Sequence, residues 1–178
     1  MAEGTLPFAL VTFLPNAQVQ ALLESRPGDL QTLTSDGIPK SFVTERYRAE
    51  PSLSVTTDNV GRRLVKFGST VLNGSMCLDP HTGEVIQLVG ANSSRWFVNS
   101  ALAAFTTSVR EVTKAFPFYP DDATSAEIEA AAQRVSEIIR KVDDQALVPD
   151  RYWSTFIDDM RTGDWATGAV LDLVAGGY

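Results

Sequence analysis

Apolar and polar residues alternate with a period of two through most of residues 52–98. Successive side chains of a strand point to opposite faces of a sheet, so this alternation predicts strands with at least one buried face. Turn-forming residues separate the strands, among them Asp58-Asn59-Val60-Gly61 and Pro80-His81-Thr82-Gly83. The pattern therefore predicts an antiparallel meander of four to six strands. Its predicted strands are SLSVTT, RRLVKFGST, GSMCLD, GEVIQLV and RWFV.

After Asn99 the period changes to about 3.6 residues, which predicts three helices. Asn99 and Ser100 are expected to cap the first helix, because short polar side chains accept from the free amides of a first turn. Ser125 is the expected cap of the second, and the third follows Pro149-Asp150 and ends at Gly163. We expect the third helix to dock on the sheet. Apolar stripes run through Leu102, Phe105, Val109 and Val112, then Ile128, Ala131, Val135, Ile138 and Val142, then Tyr152, Trp153, Phe156, Ile157 and Met160.

The two ends of the chain carry shorter patterns. FALVTFLP predicts a short strand or an extended segment, and NAQVQALLESRPG predicts a helix that Pro27-Gly28 stops. A loop around Asp36-Gly37 is expected to deliver Ile38 and Phe42 to the core. The last dozen residues stay unassigned, because their apolar positions fit either a short helix or a strand: Val170, Leu171, Leu173 and Val174. We therefore expect one α+β domain over residues 1–178, with a mainly antiparallel sheet flanked by helices.

Composition narrows the class of protein. Hydrophobic residues make up 44% and charged residues 21% of the 178, as in ordinary globular proteins. The first residues have no positive cluster and their apolar run closes at Pro15, so neither secretion nor membrane spanning is expected. One cysteine excludes an internal disulfide, and one histidine is too few for a Cys/His zinc site. We expect a cytoplasmic protein without a metal or cofactor.

The net charge of −7 lies entirely in the last third of the chain. Residues 1–110 carry 9 acids and 9 bases, whereas residues 111–178 carry 13 acids and 6 bases. A negative field repels phosphate backbones and attracts basic surfaces, so direct nucleic-acid binding is disfavoured and a basic protein partner is favoured. The alternative is that these acids only keep a helical surface soluble.

Two groups of residues invite a catalytic interpretation. Cys77 and His81 could pair as nucleophile and base, but Cys77 lies in a strand pattern and Asp79-Pro80-His81-Thr82-Gly83 is typical of a hairpin turn. The adjacent aspartate pairs point about 100° apart on a helix and so would not chelate together. Nucleotide-binding, hydrolase and metalloprotease motifs do not occur in the sequence. We expect no enzyme.

Two further segments could belong to a binding edge. Arg95 and Trp96 are available for stacking, although a tryptophan at the start of a strand is more often part of the core or its rim. Arg62-Arg63 opens a strand, where the pair is more simply a charge that protects a sheet edge than a contact for phosphate.

Several segments resemble one family. CLDPHTGEVIQLVG followed by WFVNSALAAF is similar to the hairpin and helix entry of the SUKH superfamily of bacterial immunity proteins, particularly its fourth subfamily. DGIPKSF resembles that group's early loop, and YWSTFIDDMRTGDW resembles its late tryptophan-bearing helix. Ala101 stands where the family often has a second serine, which weakens any role for a hydroxyl there. The resemblance covers most of residues 36–165 and implies an α+β fold.

The resemblance also implies a function in binding. Such proteins neutralise polymorphic toxins, often nucleases or nucleic-acid deaminases, by covering them. With the charge distribution, this leads us to expect a basic toxin domain as partner and these contact residues: Asp121, Asp122, Asp143, Asp144, Asp158 and Asp159. The alternatives are a regulatory or scaffolding module that binds a protein at an open sheet edge and, last, an enzyme using Cys77 and His81. The sequence leaves the oligomeric state open.

Overall fold

A six-stranded antiparallel sheet forms the centre of the protein in a computed structural model that describes residues 8–43, 46–70, 73–168 and 170. Its strands follow one another in chain order, so the predicted meander is confirmed. Two further strands, β1 (Leu10–Val11) and β2 (Ile38–Pro39), form a small antiparallel pair. The six are β3 (Ser41–Phe42), β4 (Tyr47–Thr57), β5 (Arg63–Thr70), β6 (Gly74–Leu78), β7 (Val85–Val89) and β8 (Ser94–Asn99).

Five α-helices accompany the sheet, which makes the described fold α+β as expected. Two short ones precede the sheet, α1 (Ala17–Leu22) and α2 (Pro27–Gln31), with a π-helical turn after them at Thr32–Asp36. The three predicted helices follow it as α3 (Leu102–Lys114), α4 (Ser125–Val142) and α5 (Tyr152–Arg161). A 3-10 turn at Asp144–Leu147 joins α4 to α5. In the tail, Thr167, Gly168 and Val170 are helical, and residues 171–178, with Leu171, Leu173 and Val174, lie outside the described residues.

The sheet buries side chains on both faces. Val65, Phe67 and Met76 belong to the main core, which the helices complete with residues such as Phe105 and Trp153. Alternate residues of the strands point to the opposite face of the sheet. There a separate buried cluster consists of Leu64, Cys77, Ile86 and Leu88. Irregular registers in three of the ladders add local twist to the sheet.

Three expectations about helix ends are wrong. Pro27 does not stop the first helix but occupies the first turn of α2, where a missing amide hydrogen costs nothing. Asn99 and Ser100 do not cap α3, whose N-cap is Ala101 without a side-chain hydrogen bond. Thr124, rather than Ser125, caps α4 through a reciprocal pair of bonds with Glu127.

Helix α5 meets the sheet, as expected, and also α4. The ring centroids of Trp153 in α5 and Phe42 in β3 lie 5.4 Å apart, and the Trp153 Nε1 donates to the Asn99 Oδ1 in β8 at 3.0 Å. One side chain therefore contacts the first and last strands of the six, which shows how strongly the sheet curls. Along its length α5 packs mainly against α4.

Candidate partner-binding surface

The six aspartates expected to contact a partner lie in two places. Arg161 at the end of α5 bonds Glu129 near the start of α4 at 3.0 Å, so the two helices run antiparallel. Asp158 and Asp159 in the last turns of α5 thus lie near Asp121 and Asp122, which precede α4. Asp143 and Asp144 lie at the other end of α4, about 27 Å away at 1.5 Å per residue.

Hydrogen bonds join the loop before α4 to the segment after α5. The Tyr119 hydroxyl donates to the carbonyl of Met160 and accepts from the amide of Trp165, each at 2.9 Å. The carboxylate of Asp121 accepts from the amide of Gly168 at 2.7 Å. These contacts gather five exposed acids, which we call the anionic end: Asp121, Asp122, Glu129, Asp158 and Asp164.

The other three aspartates of the expected contact set are Asp143, Asp144 and Asp159, and their surroundings differ. Asp159 is ion-paired with Arg46, a largely buried cation whose pKa burial lowers from its ordinary value. Asp143 is only 7% exposed and accepts from the Asn99 side chain at 3.0 Å and from the amide of Ser100 at 2.7 Å. Asp144 is exposed. In the expected contact set, Asp143 is therefore the buried member, and Asp121, Asp158 and Asp159 also use their carboxylates in bonds within the fold.

Charge on α4 changes sign along its length. Glu127 and Glu129 lie at its start, and the C-terminal half carries the bases. The residues that line a shallow groove there are Arg134, Glu137, Ile138, Arg140 and Lys141. This order complements the helix dipole. On α4 itself the exposed acids of the first turns therefore face the anionic end, and Glu137 is the acid among the bases of the C-terminal half.

Cys77 and His81 occupy different surroundings. The Cys77 side chain is fully buried in the sheet, and burial raises the pKa of its thiol to about 12, so the thiol is protonated at neutral pH. His81 is exposed in the turn, where its amide donates to the Asp79 carboxylate at 2.9 Å. Gly83 has φ +82°, as expected for the return of a hairpin. The hairpin interpretation of this segment is confirmed.

Arg95 makes contacts that the sequence did not indicate. Its guanidinium bonds Asp58 at 3.0 Å and Asp79 at 2.6 Å, in the turns after β4 and after β6. Both carboxylates are buried. The three residues are far apart in sequence and share no motif, so only the folded sheet identifies the group. Arg95 is therefore not available for stacking on a partner.

Two absences apply to residues 8–43, 46–70, 73–168 and 170. They contain no group of three or more His, Cys, Asp or Glu side chains arranged to hold a metal ion. They also contain no helix that is both long and apolar enough to cross a membrane.

The described residues form an α+β protein with an anionic end and a curled meander sheet. The family model described as SUKH-4 immunity protein matches residues 7–159, and the chain belongs to this family. Membership implies a function in immunity against a protein toxin. No curated protein and no solved structure matches the chain.

Proposed function

We propose that this protein binds a toxin domain in the cytoplasm and neutralises it by covering its active face, without catalysis of its own. The family match over residues 7–159 carries the proposal. Burial of the protonated Cys77 thiol supports the non-catalytic part, because a nucleophilic cysteine needs an accessible thiolate.

The proposed contact surface is the anionic end. Asp121, Asp122 and Asp158 from the expected set belong to it, and Glu129 and Asp164 extend it. A nuclease or nucleic-acid deaminase needs a basic groove for phosphate, and an anionic surface is complementary to such a groove. An acidic protein that covers the groove would exclude the nucleic acid electrostatically as well as sterically.

Binding to the toxin domain encoded by the neighbouring gene tests this function. We expect the purified proteins to form a complex that protects nucleic acid from the toxin and weakens as salt rises. Complete failure to bind at low salt would contradict the function and favour a regulatory or scaffolding module.

Charge reversal tests the surface. The triple variant Asp121→Lys, Asp122→Lys, Asp158→Lys should lose at least about tenfold in affinity and most of its salt dependence. A control with the same change in net charge uses exposed acids elsewhere: Glu24→Lys, Asp36→Lys, Glu137→Lys. Equal affinities for the two triple variants would show that net charge matters and the anionic end does not.

A further inference from the structure

The last strand of the sheet has an open edge. β8 is hydrogen-bonded to β7 on one side only. Within the described part of the chain, the backbone of residues 94–97 makes no hydrogen bond beyond that ladder, and these four residues are partly exposed, whereas Val98 and Asn99 are buried. Outward N–H and C=O groups on such a strand are a template for another strand, and proteins usually cover or block them.

An aromatic side chain lies on this strand, and an exposed apolar one, Val148, follows the 3-10 turn that contacts β8. Trp96 is partly exposed, and the Arg151 guanidinium lies over its ring at 6.0 Å from the centroid. Arg151 also donates to the carbonyl of Asp150 at 3.1 Å, which helps to hold it in place. Val148, three residues earlier, is 40% exposed. Tryptophan and arginine are the side chains that most often dominate the energy of protein interfaces.

Backbone strain occurs on both sides of the Trp96–Arg151 pair. Ser93, directly before β8, has φ +47°, and Asp150, directly before Arg151, has φ +54°. Such conformations cost on the order of 1 kcal/mol for residues other than glycine and are enriched at functional sites. One strained residue therefore directly precedes β8, and the other directly precedes Arg151, the N-cap of α5.

Charges of both signs lie around the edge, because Arg151 stands beside it and the exposed Arg140 and Lys141 end α4 nearby. Asp150 and Asp144 are exposed, and the 3-10 turn that carries Asp144 runs beside β8. Arg95 on the strand itself is balanced by the buried carboxylates of Asp58 and Asp79. The mixed charges do not select a basic or an acidic segment, so the apolar side chains Trp96 and Val148 indicate what docks here.

We propose that the β8 edge, defined as residues 94–97 with Trp96, Val148 and Arg151, pairs with an extended segment of the toxin domain that carries apolar side chains, as an added strand. Main-chain hydrogen bonds would supply register, and the Trp96 and Val148 side chains would supply apolar contact. This inference rests on the proposed function and adds a second contact to the anionic end, at the opposite end of α4.

Hydrogen exchange on the complex with the neighbouring gene's toxin domain tests the added strand. We expect the outward amides among residues 94–97 to exchange at least about tenfold more slowly in the complex, because strand pairing gives them an acceptor, whereas the amides that already bond β7 should change little. The hairpin tip around Val60 should exchange at its free rate. Slow exchange at β8 in the free protein that depends on protein concentration would instead indicate pairing with a second copy and overturn the proposal.

Two exposed valines provide a matched pair of variants. Val148→Asp should weaken binding at least about tenfold, whereas Val60→Asp, on a valine 67% exposed at the far hairpin, should bind normally. Trp96→Ala should act like Val148→Asp, and the valine variant keeps the test valid if loss of Trp96 impairs folding. Normal binding by Val148→Asp, with unchanged exchange at β8, would overturn the inference and leave the proposed function standing. No binding by the unchanged protein would overturn both.

Discussion

Arg95 is the residue on which the second face of the sheet depends. Its side chain is 20% exposed, while those of its partners Asp58 and Asp79 are 0% and 2% exposed. It lies near Cys77, whose thiol it affects electrostatically, and Cys77 belongs to the small buried cluster on that face. One guanidinium thus joins two turns of the meander beside a minor core. A buried charge that loses its partner is strongly destabilising, even where the intact pair contributes little.

Replacement of Arg95 by alanine should therefore lower the free energy of unfolding by on the order of 3 kcal/mol, because two buried carboxylates lose their cation. Urea unfolding followed by tryptophan fluorescence measures this. Arg63→Ala is the control, since Arg63 is exposed and should change stability by less than about 0.5 kcal/mol. Similar stabilities for the two variants would show that the turns hold without the ion pairs.

The same carboxylates predict how stability depends on pH. Burial raises the pKa of Asp58 and of Asp79, but hydrogen bonds outweigh it and leave both pKa values below the ordinary range. For Asp58 these bonds come from the amide of Arg62 and from Arg95, and for Asp79 from Arg95 and the amide of His81. A carboxyl with a lowered folded pKa stabilises the protein above its unfolded pKa of about 3.9, and this contribution is lost as pH falls through the folded value.

We therefore expect the free energy of unfolding to fall steeply below about pH 4, and less steeply in the double variant Asp58→Asn, Asp79→Asn. Urea unfolding at a series of pH values between about 2 and 7 measures the slope. A double variant with the same slope as the unchanged protein would place the acid sensitivity elsewhere.

At the scale of elements, a buried polar network joins the end of the sheet to the helices. Asn99 at the end of β8 accepts from Trp153 in α5 and donates to Asp143, the residue that ends α4. Its Nδ2 also lies 3.4 Å from the Ser108 hydroxyl in α3. The amide of Ser100 donates to the same Asp143 carboxylate. One asparagine therefore fixes the positions of three helices relative to β8.

Adjacent aspartates make this network testable. Asp143→Ala should lower the free energy of unfolding by about 1–3 kcal/mol for each donor left without an acceptor. Asp144→Ala removes the same atoms from the exposed neighbour and should have little effect. Thermal unfolding of both variants gives the comparison, and equal melting temperatures would mean that water replaces Asp143 without cost.

The elements could be predicted from the sequence, but their ends and their long-range bonds could not. Alternation and turn residues identified the meander because strand pairing between sequence neighbours is a local property. The first cap was wrong because Asn99 bonds a residue 44 positions away. The second was wrong because the local capping-box signature Thr124-x-x-Glu127, which Ser125 lacks, was passed over. The distance between the acids at the two ends of α4 follows from the length of that helix alone. The position of Asp158 and Asp159 near its start depends on the antiparallel packing of α4 and α5, which sequence position does not report.

At the scale of the whole molecule, the two proposed contacts lie at opposite ends of α4. The anionic end is at its start, and the β8 edge lies near its end, where Asp143 bonds Asn99. Long-range charge acts mainly before contact, during diffusion, whereas apolar and main-chain contacts act after it. The two surfaces should therefore affect different rate constants of the same complex.

Binding kinetics with the neighbouring gene's toxin domain separate the two contributions. Charge reversal at Asp121, Asp122 and Asp158 should reduce the association rate constant about tenfold at low salt, and the difference should shrink as salt screens the field. Val148→Asp at the β8 edge should mainly raise the dissociation rate constant, with an effect that persists at high salt. Contacts made after docking are not screened by salt in the way that a long-range electrostatic field is. If both variants changed the same rate constant with the same salt dependence, the assignment of the two surfaces to different rate constants would be wrong.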